Sequence, residues 1–264
     1  MLYNAKEHTI AIDNTTLDYI TFGKGNKPLV IIPGLSFNRV KGASLPLAYM
    51  YRIFTKEYKV YIFDRKNDIP TNYSIEDIAN DTAKIMCKLD LYDSSIIGIS
   101  QGGMIASYIA IHYSQLVSKL VLGATTSRTN ECVRERIGKW IELAQNNDYT
   151  GIMQDVFMSM YSSKYIQKYK LILPILIRTT KPKSMDRFLI LARSCLSFDI
   201  YEDLPKIQCP TLVLGGMQDS VVSSTASFEI QEKIQCDMYM YEEYGHAVYE
   251  EAKDFNTRIY TFLK

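Results

Sequence analysis

The sequence predicts a mostly parallel, eight-stranded β-sheet with helices on both faces, and an all-helical insertion late in the chain. Three observations predict it. Short β-branched runs alternate with longer amphipathic stretches over residues 1–127 and again over 205–264, the rhythm of strand–crossover–strand units and hence of a parallel sheet covered on both sides. Runs such as Leu29-Val30-Ile31-Ile32 are continuously apolar rather than alternating, as strands buried on both faces are. From about Arg128 to Leu204 only helical periodicity remains, so residues 128–204 form an insertion within a core made of 1–127 and 205–264.

Taken in order, Thr9 to Asp13 and Thr16 to Phe22 form an opening hairpin, with turn chemistry from Asp13-Asn14. The Leu29–Ile32 strand ends at Pro33-Gly34, and Leu45 to Phe54 is helical. Lys59 to Phe63 is the next strand, followed by a loop over Asp64-Arg65-Lys66-Asn67-Asp68. Ser74 with Asp77 three residues on makes a capping box that opens a helix to about Leu89. A strand at Ser95–Ile99, a helix from Gly102 to Tyr113 and a strand at Leu120–Leu122 follow. The insertion reads as helices near Glu131–Gln145, Tyr149–Met160, Lys164–Ile177 and Ser184–Leu196. Strand sequence resumes at Thr211–Gly215. A helix near Ser224–Ile234, a strand at Met238–Tyr241 and a helix from Val248 onward finish the pattern.

Composition bounds the function. A chain of 264 residues can bury roughly three quarters of its unfolded surface and folds without staples. Lys plus Arg number 30 against 29 for Asp plus Glu, a net +1 that supplies no overall field for nucleic acid or an anionic membrane. The five cysteines are scattered and never spaced C-x-x-C, which favours free thiols in a reducing cytoplasm over disulfides or structural zinc. The first residues lack the apolar core of a signal peptide, and the longest uncharged apolar run, Leu171 to Ile177, falls far short of the about 20 residues of a membrane span. A cytoplasmic protein, monomer or homodimer, is expected. Neither a P-loop, a dinucleotide fingerprint nor a metal-ligand cluster occurs, so no cofactor or metal is expected. The Lys/Tyr-rich stretch from Ser163 to Lys170 reads as a solvated helix face.

Active sites of open parallel sheets gather at the C-terminal ends of the strands. At one such end lies Gly98-Ile99-Ser100-Gln101-Gly102, a G-x-S-x-G between strand and helix. The tight turn exposes the serine Oγ and leaves no room for flanking side chains. A serine needs a base, and the chain has three histidines. His8 belongs to the opening hairpin, at the surface, and His112 sits three turns beyond Ser100, pointing away; His246 alone follows a strand through a glycine-containing loop. The base needs a carboxylate. Asp219, just past the Leu212–Gly215 strand, is at the correct edge of the sheet, whereas Asp203 and Asp237 fall at the opposite one.

With these motifs in place the chain resembles the α/β-hydrolase superfamily along its whole length, specifically members with a helical cap after the sixth strand. The resemblance rests on G-I-S-Q-G-G at the elbow, Asp219 in L-V-L-G-G-M-Q-D-S-V-V and His246 in Y-E-E-Y-G-H-A-V, in the order Ser, Asp, His. It implies an oxyanion hole made by the backbone N–H groups of Gln101 and of Leu35 in P-G-L-S-F, where the family's usual His-Gly has become Pro33-Gly34. The family's D-x-R-G-x-G has become Asp64-Arg65-Lys66-Asn67-Asp68, expected to be surface variation. Serine at the elbow separates the chain from the dehalogenases and epoxide hydrolases of the superfamily, which carry aspartate there.

The expected activity is that of a serine hydrolase, foremost a carboxylesterase acting on a small-molecule ester through an acyl-enzyme. Aminopeptidase, lactonase, C–C bond hydrolase and perhydrolase chemistry share the same triad. A ligand sensor that keeps the triad and signals through a partner protein is the reading from another class. Trp140, Phe157 and Val221 are the expected pocket residues. The cap is expected to set selectivity, with the sheet alone positioning the triad, since Ser100, Asp219 and His246 lie outside the insertion.

Overall fold

A computed structural model describes residues 2–182 and 184–264. They form an eight-stranded sheet in the order β1-β2-β4-β3-β5-β6-β7-β8. The strands are β1 (Lys6–Ile12), β2 (Thr15–Phe22), β3 (Lys27–Ile32), β4 (Tyr58–Lys66), β5 (Ser94–Ile99), β6 (Val117–Gly123), β7 (Thr211–Gly216) and β8 (Asp237–Tyr241). β2 pairs antiparallel with both β1 and β4, and every pairing from β4 to β8 is parallel.

The central strand β5 is buried at all six positions, and its period of two sends successive side chains to opposite layers. Ile96 joins Val30, Ile32, Met104, Ile105 and Ile109 on the face covered by α2 (Ile75–Lys88) and α3 (Gln101–His112). Ile97 joins Leu29, Ile31, Tyr51, Phe54, Phe255 and Ile259 on the other, covered by α1 (Ser44–Met50) and, near the C-terminus, a helix over Phe255–Leu263. Each such side chain contributes about 1.5–3 kcal/mol of transfer free energy, which fixes strand register because a one-residue slip would exchange the two layers. The α2 cap is reciprocal: Ser74 Oγ accepts from the Asp77 N–H at 3.1 Å, and the Asp77 carboxylate accepts from the Ser74 N–H at 3.0 Å.

Between β6 and β7 lie α4 (Glu131–Gln145), α5 (Tyr149–Met160), α6 (Ser163–Tyr169), α7 (Leu173–Thr180) and α8 (Asp186–Ser194). The base of this helical block is closed by an isolated bridge between Arg128 and Asp199, and by Thr129, whose N–H donates to Phe198 O at 2.8 Å. After β7 come α9 (Thr225–Ile234), β8, α10 (Val248–Glu251) and α11 (Phe255–Leu263).

Four sequence expectations need correction. The single helix over 164–177 is two, α6 and α7, because Pro174 has no N–H to donate and clashes with a continued helix; it sits instead in the first turn of α7. The helix expected over 45–54 ends at Met50 and continues as a 3-10 turn, Arg52–Phe54. Asp64 to Lys66 are not loop: β4 runs through them, and Asp64 and Arg65 are buried at 7% and 3% exposure. They are therefore not surface variation. His8 is partly covered rather than free on the surface, 2.9 Å from Thr21 Oγ1 on the neighbouring strand.

Candidate active site

Ser100 closes β5 and opens α3 with φ 54° and ψ −121°, a conformation that an L-residue holds only where its surroundings over-determine it. They do so here. Its N–H donates to Gly123 O at 2.8 Å, and its carbonyl accepts from the Gly103 N–H at 2.8 Å and from Thr125 Oγ1 at 2.7 Å. The flanking glycines are required by close approach: a Cβ on Gly98 would lie 2.5 Å from Gly102 O, and one on Gly102 would lie 1.9 Å from Ile32 O.

His246 and Asp219 arrive from the loops after β8 and β7. Ser100 Oγ lies 2.9 Å from His246 Nε2, and His246 Nδ1 lies 2.8 Å from Asp219 Oδ2. The other Asp219 oxygen accepts the N–H groups of Val221 and Val222 at 2.8 and 3.0 Å. Histidine and aspartate are 2% and 8% exposed. Burial opposes the Asp219 charge, but the imidazole and the two amides outweigh it and hold the carboxyl below its ordinary range. An ionised carboxylate on Nδ1 keeps a proton there, leaving Nε2 as the acceptor for the serine hydroxyl proton. The rival acids are elsewhere: Asp203 pairs with Lys206 on the surface, and Asp237 is exposed at the start of β8.

Gln101 holds the first position of α3, where a backbone N–H has no helical partner. Its side chain, 1% exposed, ties together three parts of the molecule. Its Nε2 donates to Leu191 O at 2.7 Å and to Ser194 Oγ at 3.2 Å in α8, and lies 3.3 Å from Cys195 Sγ. Its Oε1 accepts from Arg65 Nη2 at 2.9 Å, and the same nitrogen donates to Pro33 O at 2.7 Å. One guanidinium thus spans the residue after the elbow and the loop that carries Leu35. Asp64 stiffens the same loop by accepting the Val40 N–H at 3.1 Å, and Arg187 of α8 donates to Asp64 at 2.9 Å. Sequence reasoning missed Arg65, Asp64 and Arg187. The available signal was a degraded family motif whose charged pair survives next to a strand.

The helical block also touches the neighbours of Asp219 and His246. Ser220 Oγ donates to Ser159 O at 3.0 Å, and the Ala247 N–H donates to Met160 O at 2.8 Å. These bonds add to the strand-end loops of β5, β7 and β8 that carry Ser100, Asp219 and His246.

A small cavity of about 40 Å³ lies over Ser100 and His246, walled by Leu35, Gln101, Trp140, Met160, Val221 and Val222 among others. Of the expected pocket residues, Trp140 and Val221 line it. Phe157 does not; its ring packs 5.5 Å from that of Tyr161. Trp140 also donates from Nε1 to Asp155 at 2.8 Å. Apart from His246, the described residues lining this cavity carry no ionisable group of ordinary charge at neutral pH. Among the described residues, no cluster of three or more metal-ligating side chains occurs, and no helix is long and apolar enough to cross a membrane.

Known proteins agree with this architecture. The enol-lactonase from Burkholderia xenovorans LB400 superposes with a TM-score of 0.84 at 17% identity, covering 97% of this chain and 99% of that one. MGS-M2, an α/β-hydrolase enzyme from a Medee basin deep-sea metagenome library, superposes at 0.85 with 20% identity, covering 97% of each chain. In sequence, 3-oxoadipate enol-lactonase 2 of Acinetobacter baylyi is 20% identical over 262 residues, 97% of this chain and 96% of its own. The Ndr family matches residues 64–259, from the buried Asp64 through the elbow and past His246. With its fold that of the α/β-hydrolase superfamily and this match over most of its length, the chain belongs to the Ndr family.

Proposed function

We propose that this protein is a serine hydrolase of small uncharged carboxylic esters. The observation that carries the reading is the unbroken relay from Ser100 Oγ through His246 to a buried, ionised Asp219 beneath an apolar cavity. In this reading His246 Nε2 takes the serine proton as Oγ attacks the ester carbonyl. The N–H groups of Leu35 and Gln101 receive the charge that develops on the carbonyl oxygen. The imidazolium, stabilised by Asp219, then protonates the departing alcohol, and an acyl-serine remains. Water, activated by the same imidazole, releases the acid and restores the serine. These steps use side chains, backbone and water alone. The helical block acts as a lid whose apolar walls exclude water and select the acyl group.

A lactone is an ester closed on itself and passes through the same steps. The names of the enol-lactonase relatives favour it as the second reading.

A screen over p-nitrophenyl esters of graded length, aminoacyl anilides and simple lactones separates the possibilities. Short-chain esters should turn over, and Ser100→Ala should lower kcat by about 10⁶ while abolishing organophosphonate labelling. A folded wild-type protein that hydrolyses neither esters nor lactones, and takes no phosphonate at Ser100, refutes the proposal.

A further inference from the structure

Behind the loop that carries Leu35 lies a second cavity, of about 230 Å³. It shares only Gly34 with the catalytic cavity. Its apolar end is built from the sheet and α1, with Ile31, Ile62, Leu47 and Tyr51. Its polar end holds Arg39, Arg65 and Arg187 against a single carboxylate, Asp64. Arg187 is the guanidinium that pairs with Asp64, at 2.9 Å. Arg39 hydrogen-bonds the neutral Asn67. Arg65 spends its Nη2 on two neutral oxygens, and its buried Nε meets no acceptor among the described residues. Arg65 and Arg187 therefore share the one carboxylate, Asp64, and the three guanidinium groups leave the lining with an excess of positive charge. Arg39 is exposed at the rim, whereas Arg65 is 3% exposed with its Nε unpartnered among the described residues; a buried guanidinium of this kind is costly, and an anion beside it lowers that cost.

We infer that this cavity binds a medium-chain carboxylate, its head group at the Arg39–Arg65 end and its chain against Leu47, Tyr51 and Ile62. A cavity of about 230 Å³ has room for a chain of about eight carbons, and pockets of mixed lining orient such ligands by a few convergent polar groups. The head group is a carboxylate rather than a neutral one because the lining is cationic on balance. Ala43 and Leu47 flank the apolar end, outside the reaction centre, and can be enlarged to fill it. One wall, Pro33 to Val40, is the loop that bears the Leu35 N–H, so on the esterase reading occupancy acts on kcat rather than KM.

Octanoate, octanol and butyrate titrated into the intact protein by calorimetry test the site without reference to hydrolysis. Octanoate should bind saturably, and octanol and butyrate should each bind about tenfold or more weakly, one lacking the charge and the other the chain. Ala43→Trp should weaken octanoate by about tenfold, with Leu47→Trp as the second filling variant if the first unfolds. Methyl resonances of Val40, Leu47 and Ile62 should shift on octanoate addition. Shifts confined to Met104, Ile137 and Val222 would place the ligand in the catalytic cavity and overturn the inference. So would octanol binding as tightly as octanoate, or the absence of saturable binding up to about 10 mM, a concentration that detects very weak complexes. An inactive protein that binds octanoate as described would sink the esterase reading and leave this site standing.

Discussion

Arg65→Met is the substitution that asks most of the structure. Methionine keeps the length and apolar body of the side chain but takes the donor from two oxygens at once, Pro33 O and Gln101 Oε1. Gln101 is 1% exposed, so water cannot replace the lost partner. Each stranded acceptor costs about 1–3 kcal/mol, or about 2–6 together. Removing a buried guanidinium recovers part of that, leaving a net loss of about 2–3 kcal/mol. At about 2 °C per kcal/mol for a chain of this size, the melting temperature should fall by about 4–6 °C. The effect on rate should be larger than so small a loss of stability implies. The bonds removed fix the Gln101 and Leu35 N–H groups relative to each other, and a misplacement of about 1 Å can cost about 10² in rate. Differential scanning fluorimetry, ester kinetics and the affinity for a trifluoromethyl ketone, which mimics the tetrahedral intermediate, should be measured together. Ketone affinity and kcat should fall in parallel with KM little changed, and Arg65→Lys should recover part of both. A variant that melts lower yet keeps wild-type kcat and ketone affinity would refute the reasoning, because the guanidinium would then support the fold without aligning the two donors.

Asp219→Asn should lower kcat by about 10⁴, through loss of tautomer control and of the imidazolium's partner. Because the folded carboxyl titrates below its unfolded value of about 4, its contribution to stability is present at neutral pH and lost as pH falls through the folded value. Urea melts should therefore separate wild type from Asp219→Asn at pH 7 and draw together as the pH falls through the lowered folded value of the carboxyl. Gly102→Ala places a Cβ 1.9 Å from Ile32 O, a backbone atom that cannot swing aside, and should destabilise by more than about 3 kcal/mol, read by chemical denaturation. Trp140→Ala should move the preferred ester to longer acyl chains, whereas Phe157→Ala should cost about 3 kcal/mol of stability and leave the chain-length profile unchanged. Equal profiles for all three proteins would remove Trp140 from the acyl wall.

Strand-and-helix order was legible because each strand is a short apolar run and each helix has a distinct amphipathic period. The elbow, His246 and Asp219 were legible because chain order and sheet polarity leave few groups able to meet at one edge. What stayed hidden depends on contacts remote in sequence. Arg65 read as loop because its partners, Pro33 and Gln101, lie 32 and 36 residues away. Charged residues after a strand look alike whether they face solvent or a buried carbonyl. Trp140 and Phe157 are equally apolar and both buried, so only the packing of α4 and α5 decides that one faces the cavity and the other the Tyr161 ring. Pro174 did mark a break within the apolar run Leu171 to Ile177, beyond the end of α6, but helical period alone carried the expected helix through it.

A lid hung only from its two ends can swing without disturbing what lies beneath. Here the last turn of α5 is bonded to the residues beside both Asp219 and His246, through Ser159 and Met160. Any displacement of that turn pulls on Asp219 and His246 together. Mild heating should consequently extinguish activity while the sheet is still intact, as α5 amides begin to exchange with solvent and those of β5 and β6 remain protected. In this molecule the first region to loosen and the first function to disappear should be the same event.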